Sequence, residues 1–322
     1  MKYQTGTARQ WVRDHLRGHI VTTITPFNDD LSIDLAGLKD NVEQLLALPC
    51  VGGLYVNSVF QEATALTAAE RNQVLGAVVE AAAGRVPVVA VASGNAVDDV
   101  IAAATAAQEL GADLVMLWPP TFGYRTRPGV LEFIRRVARS VEIGLCVYAS
   151  GLSEFGFRLT PSMLVELSEI EHLCAVKEAS MSLGTYLDTL ATVGSRLLVS
   201  CPLDEYWTVG RRLLPSVAPD LLLGTSRPLY LETPGAPLLS RLRQAVNAGD
   251  PTQIEPALTT VVDLANQLHT RFLEAGGHNI ALAKAVAGLR GLATGPVRPP
   301  MSMPEPAEIS QAQEIMKRAG LV

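Results

Sequence analysis

Eight short runs rich in aliphatic and β-branched residues recur along the first two thirds of the chain, and segments with helical spacing fall between them. The runs are HIVTTIT (19–25), GLYVN (53–57), VPVVAVA (86–92), DLVMLW (113–118), IGLCVY (143–148), LCAVK (173–177), RLLVS (196–200) and DLLLG (220–224). Most are continuously apolar, as strands of a parallel sheet buried on both faces must be. Between them, 32–48, 66–84 and 95–112 carry apolar residues at helical spacing. Thr67 with Glu70 three residues on reads as a capping box, and Gly84 and Gly111 as helix stops. Thr160 before Pro161 reads as an N-cap with proline at the first helical position. The segment 204–218 carries the weakest helical signal. Eight strands, each followed by a helix, describe a (β/α)8 TIM barrel. A doubly wound open sheet is the competing arrangement, and it lacks a GxGxxG after the first strand.

The division expected from this pattern is an N-terminal helical extension over 1–18, the barrel over 19–249 and a C-terminal helical region over 250–322. In the last region 252–273, 278–291 and 305–319 read as helices, and GPVRPPMSMPEP (295–306) as a proline-rich connector. The region reads as a helical appendage on the barrel or a small subdomain of its own.

Composition narrows the class of function. A net charge of −6 with no basic run or stripe argues against a nucleic-acid partner. Cys50, Cys146, Cys174 and Cys201 lie far apart in apolar sequence without a CxxC pair, which suits reduced thiols in a cytoplasmic protein. The five histidines show no metal-ligand spacing. The polar N-terminus lacks the apolar core of a signal peptide, and no apolar run reaches the length of a membrane span. The expectation is a cytoplasmic globular protein with a small-molecule substrate, no metal and no membrane partner.

In a barrel the C-terminal strand ends face the active site. Read together, those ends offer Thr25, Asn57 to Phe60, Ser93 to Asn95, Trp118 to Phe122, Tyr148, Lys177, Cys201 to Asp204, and Thr225 with Ser226. Tyr148 and Lys177 close adjacent strands, and adjacent strands lie about 4.8 Å apart, so the two side chains can meet over the barrel mouth. A lysine drawn out of water loses proton affinity, and its neutral amine can attack a carbonyl to form a Schiff base. The tyrosine hydroxyl can then move the proton. The competing reading is a snorkelled surface lysine and a packing tyrosine.

With those residues in place, the chain resembles the dihydrodipicolinate synthase / N-acetylneuraminate lyase family of class I aldolases from His19 to Leu292. The likeness rests on TTITPF (22–27), GGLYVNSVFQEATALTAAER (52–71), GADLVMLWPP (111–120), VYASG (147–151) and AVKEAS (175–180). It implies a (β/α)8 barrel with a C-terminal helical region, a homo-oligomer (dimer or tetramer), Lys177 as the imine-forming lysine and Tyr148 as the catalytic tyrosine. No separate cofactor is implied, since the substrate is carried as a covalent imine.

Departures from the family pattern bear on the substrate. The synthases carry Gly-Thr-Thr-Gly-Glu after the second strand; here the match is Ser58-Val59-Phe60-Gln61-Glu62. Backbone N–H groups of Val59 and Phe60 can still hold a carboxylate, and Ser58 can supply a hydroxyl from another register. A second tyrosine of the synthases is matched by Phe122. Their arginine beyond the catalytic tyrosine has no match, Arg158 being the nearest candidate. The chain therefore reads as a family member other than a typical dihydrodipicolinate synthase.

CPLDEYW (201–207) and HNIALAKAVAGLRGLATGPVRPP (278–300) are similar to the hydratase-aldolases that cleave benzylidenepyruvates. That likeness brings Asn279 toward the pocket, with Phe60, Trp118 and Phe122 as either an apolar slot for a bulky acceptor or ordinary loop packing. Cys201 is either a substrate contact or a buried thiol, and Asp204 and Glu205 read as helix N-terminal charges. Thr225 and Ser226 close strand eight, with Arg227 as a candidate carboxylate partner.

The resulting expectation is a class I Schiff-base lyase, aldolase or hydratase-aldolase, acting between pyruvate or a related 2-oxo acid and an aldehyde. Alternatives are a lysine-imine dehydratase, cyclase or decarboxylase on a specialised metabolite, and a non-catalytic ligand-binding member.

Overall fold

The computed structural model describes residues 2–151, 157–270 and 280–322. Eight parallel strands form one sheet in the order β7-β6-β5-β4-β3-β2-β1-β8. They are β1 (Gly18–Thr22), β2 (Val51–Val56), β3 (Val88–Ala92), β4 (Leu114–Leu117), β5 (Leu145–Ser150), β6 (Leu173–Ala179), β7 (Leu198–Ser200) and β8 (Leu221–Thr225). The ends of that order meet through a parallel bridge between Cys201 and Leu222, so the sheet closes into a barrel. The open-sheet alternative is thereby excluded.

Each apolar run serves two cores because successive side chains on a strand point to opposite faces. Ile20, Tyr55, Val89, Met116, Cys146 and Leu223 fill the barrel interior. Their neighbours Val21, Val56, Ala90, Leu117, Val147 and Leu222 pack outward beneath the helices. The helix α1 (Ala8–His15) adds Ala8 and Val12, followed by Leu16, to the interior core. It packs against β6, where the Arg9 guanidinium donates to the carbonyls of Ser168, Ile170 and Leu173.

The surrounding helices are α2 (Leu35–Leu46), α3 (Ala68–Ala82), α4 (Val97–Glu109), α5 (Arg127–Ala138), α6 (Pro161–Leu167), α7 (Leu183–Val193) and α8 (Asp204–Leu213). Their starts follow the sequence signals. Thr67 and Glu70 form the reciprocal capping box of α3, and Thr160 caps α6 ahead of Pro161. The left-handed residue that closes α3 is Ala83, with Gly84 continuing at positive φ. Helix α8 stops at Leu213, short of the predicted 218, because Leu214 precedes Pro215 and is pushed out of helical geometry.

Beyond β8 come α9 (Pro228–Leu231), α10 (Leu238–Ala248) and α11 (Pro251–Ala265), the last two joined through left-handed Gly249 and the Asp250 cap. After a π-helical stretch at Asn266–Thr270, α12 (Ile280–Leu289) and α13 (Pro306–Arg318) follow. The proline-rich stretch between α12 and α13 forms neither helix nor strand. Helix α12 packs on α9 and on the short turn after β2, and so touches the C-terminal face of the barrel. No helix among the described residues is both long and apolar enough to cross a membrane.

Candidate active site

Tyr148 on β5 and Lys177 on β6 are direct register partners, as are Lys177 and Ser200 on β7. Partners in register point to the same face, which here is the interior. Lys177 is 6% exposed. Its Nζ lies 4.9 Å from the ring centroid of Tyr148 and 4.9 Å from that of Tyr55. The same nitrogen donates to the carbonyl of Gly224 at 3.0 Å.

Two aromatic faces and one carbonyl can steady an ammonium, but they do not replace its hydration shell. Among the described residues no carboxylate forms an ion pair with Lys177. Burial accordingly lowers its proton affinity from 10.5 to about 7. Glu178, the next residue, does not answer that charge. Strand alternation turns it to the helix-facing side, where it is buried and accepts from the Ser180 N–H at 3.0 Å. Burial raises its own proton affinity.

A side chain at position 224 would be strained. The φ of Gly224 is +72°, and a Cβ there would sit 2.5 Å from Lys177 Nζ and 3.0 Å from the Tyr55 ring. The pairing of β1 with β8 slips between Ile20 and Val21, beside this glycine. The irregularity turns a backbone carbonyl toward the lysine.

The aromatic wall is continuous. Tyr148 stacks on Trp118, with ring centroids 4.8 Å apart and planes at 22°. The Trp118 indole N–H in turn donates to Tyr55 Oη at 3.3 Å. Burial holds the Tyr55 hydroxyl far above its ordinary pKa, so it stays a neutral phenol. Tyr55 and Gly224 are the members of this group that sequence reading missed. The signal for Tyr55 was present, since it lies within the second apolar run, close to its C-terminal end.

At the end of β2, Ser58 precedes a short helical turn over Val59–Gln61. The Ser58 hydroxyl shares a hydrogen bond with Thr22 Oγ1. Val59 packs against the interior core. The turn is tied from the barrel side: the Gln61 side chain bonds the Asn57 N–H and Thr23 Oγ1, and Thr25 Oγ1 donates to the Gln61 carbonyl at 2.8 Å. Thr25 therefore holds the turn.

Other expected residues fall elsewhere. Phe122 is 82% exposed, with its N–H held by Asn95 Oδ1, and does not wall the interior of this chain. Trp118 does, and Phe60 is half-buried. Cys201 belongs to the core beneath the helices, its thiol donating to the Leu203 carbonyl at 3.4 Å, because it follows the inward-facing Ser200. Thr225 Oγ1 accepts from the Arg227 N–H at 3.2 Å.

The Arg227 guanidinium is committed elsewhere than a substrate carboxylate. It pairs with Asp204 at 2.8 Å and Glu205 at 2.6 Å, all but Glu205 fully buried. Asp204 also accepts from or shares a proton with His19 Nε2 at 2.9 Å. Burial acts to raise the Asp204 pKa, but His19 and Arg227 outweigh it and bring it to about 2. Asn279 lies outside the described residues.

A buried, weakly basic amine flanked by a phenol, with a polar turn opposite, is suited to condensation with a carbonyl compound. A model of the dihydrodipicolinate synthetase family matches residues 15–229. A 4-hydroxy-tetrahydrodipicolinate synthase from Methanopyrus kandleri is 27% identical over 310 residues, covering 95% of this chain and 97% of the relative. One from Methanothrix thermoacetophila is 29% identical over 286 residues, covering 89% and 91%. Among solved structures, a prophage protein of the dihydrodipicolinic acid synthase family from E. coli K12, in complex with pyruvate, gives a TM-score of 0.83 at 20% identity. It covers 95% of this chain and 99% of that one. A chloride-inhibited dihydrodipicolinate synthase from Acinetobacter baumannii, complexed with pyruvate, gives 0.83 at 22% identity, covering 95% and 100%. At these identities the structural likeness speaks to the fold.

Proposed function

The chain belongs to the dihydrodipicolinate synthetase family, whose members are lyases of the Schiff-base, class I aldolase type, and from that premise we propose that it joins or splits a 2-oxo acid, pyruvate in the simplest case, and a bulky or aromatic aldehyde. The observation that carries this reading is the Lys177 amine, buried with no carboxylate paired to it among the described residues and in register with Tyr148.

In the synthetic direction, the neutral Nζ attacks C2 of the 2-oxo acid and water leaves, giving a protonated imine. Loss of a C3 proton yields the enamine, which attacks the aldehyde carbon and forms the C–C bond. Tyr148 moves the proton onto the departing hydroxyl and then onto the aldehyde oxygen. Hydrolysis of the imine frees Lys177. Cleavage is the reverse, with the aldehyde leaving first. The backbone N–H groups of Val59 and Phe60, with the Ser58 hydroxyl beside them, hold the carboxylate.

Val59 and Phe60 in place of threonines, and phenylalanine at 122, remove hydroxyls and add apolar surface. This supports an acceptor unlike that of the synthases, in a hydratase-aldolase manner. The same substitutions favour, as a second reading, imine chemistry without an aldol step, such as dehydration. The exposed Phe122 and Tyr124 support a homo-oligomer, and four unpaired buried cysteines support a reducing, cytoplasmic setting.

Incubation with pyruvate and borohydride followed by peptide mass analysis tests the reading. The expected result is one reduced adduct on Lys177, and less of it when a productive aldehyde is present before the borohydride is added. Absence of an adduct with every 2-oxo acid tried contradicts it. Capture of a larger carbonyl compound but not pyruvate selects the second reading.

A further inference from the structure

A second buried lysine lies 222 residues from its carboxylate partner in sequence and joins the C-terminal region to the turn after β2. Glu62 ends the Val59–Gln61 turn in left-handed geometry, φ 57°, with its N–H closing on the Val59 carbonyl at 2.9 Å. A glutamate adopts that backbone only where its surroundings hold it. Its carboxylate accepts from Lys284 Nζ on α12 at 2.8 Å and from the Arg298 N–H at 2.9 Å.

Lys284 also donates to the Pro296 carbonyl at 2.5 Å, and its Nζ sits 4.3 Å from the Phe27 ring centroid. Arg298 covers the same ring at 4.6 Å and donates to the carbonyls of Leu31 and Ala65 and to Glu70. Glu62 and Lys284 are each 1% exposed. The turn is thus clamped on two sides, by Gln61 and Thr25 within the barrel and by Glu62 from outside it.

We propose that Glu62 and Lys284 are positioning residues for donor recognition, in that their ion pair sets the Val59–Phe60 backbone at the distance from Lys177 that a 2-oxo acid spans between its carboxylate and its carbonyl. The proposal rests on the carboxylate-binding role given to that turn above. Neither residue touches the reacting atoms. A buried pair is a costly way merely to add stability, since an apolar pair of similar volume serves as well or better. What it adds is a fixed direction: two donors meet one carboxylate and admit one placement of the turn. The C-terminal region thereby takes part in choosing the substrate without lining the reaction centre.

The test compares two carbonyl compounds that reach Lys177 equally but differ in the carboxylate. Borohydride trapping on Lys177 is measured with pyruvate and with acetaldehyde in the native protein, in Glu62→Gln and in Lys284→Met. The expected result is a fall of about ten- to a hundredfold in pyruvate trapping relative to acetaldehyde, since small misplacement of a binding group has effects of that size. Lys284→Arg, which keeps the charge, restores part of the ratio. An equal fall with both compounds, or no change, overturns the proposal and leaves the pair a structural tie. Native protein that traps neither compound overturns the functional reading and this proposal with it; native trapping with an unmoved ratio overturns this proposal alone. Should Glu62→Gln not accumulate as folded protein, Glu62→Asp, which shortens the reach but keeps the charge, carries the same comparison.

Discussion

Lys177 and Lys284 are both removed from water, yet they meet opposite surroundings. Lys284 is held by a carboxylate at 2.8 Å and a carbonyl, so its charge is answered and its amine stays occupied. Burial lowers its proton affinity and Glu62 pulls it back up. Lys177 has one carbonyl and two aromatic faces, and burial acts on it almost unopposed. Burial alone therefore does not make a nucleophile. Among the described residues no carboxylate pairs with Lys177, and strand alternation turns the adjacent Glu178 to the far face of β6.

The largest effect that sharpens this contrast falls on Tyr148, the proposed proton carrier. Tyr148→Phe keeps the ring beside Lys177 and removes only the hydroxyl. It is expected to lower kcat by about 10²–10⁴-fold, the range of general acid–base catalysis, with adduct formation at equilibrium retained. Steady-state kinetics beside borohydride trapping reads both.

Next come the lysines themselves. Lys284→Met leaves Glu62 buried with one N–H donor, and loss of one member of a buried pair costs roughly 3–5 kcal/mol, seen as a lower denaturation midpoint. Lys177→Met acts in the opposite sense. The unfolded amine holds its proton up to about 10.5 and the folded one only to about 7. Folding between those values releases a proton, and below 7 it buries a charge, so the native lysine opposes folding throughout. Its removal stabilises at neutral pH, while the native protein gains stability as pH rises from 7 toward 10.5. Equal destabilisation by both substitutions would break the contrast.

A smaller effect attends Gly224→Ala, where left-handed alanine costs about 1–2 kcal/mol and the added methyl displaces Lys177 Nζ. Thermal unfolding and the rate of adduct formation should both decline.

Much of this was legible in the sequence, for reasons specific to each element. The eight strands announced themselves because parallel strands buried on both faces are continuously apolar. The Tyr148–Lys177 pair was legible because both residues end consecutive strands, and the structure places them in register. Strand phase was not legible. Nothing local to CPLD says that Ser200 faces inward and Cys201 outward, since the register of β6 on β7 decides it.

The surroundings of Phe122 and Arg227 were not legible, for related reasons. A loop aromatic carries no sign of its direction, and the partners that occupy Arg227 come from another strand end. The Glu62–Lys284 tie spans 222 residues of sequence, so no local pattern could reveal it.

The central claim is that Lys177 loses its proton near pH 7 because it is buried with no carboxylate paired to it among the described residues. The most direct measurement is an NMR titration of the lysine side-chain ε-carbon signals, with that of Lys177 assigned by its loss in Lys177→Met. A midpoint near 7 for that signal, apart from the other lysines, is the expected result. A midpoint near 10.5, shared with exposed lysines, would contradict the account.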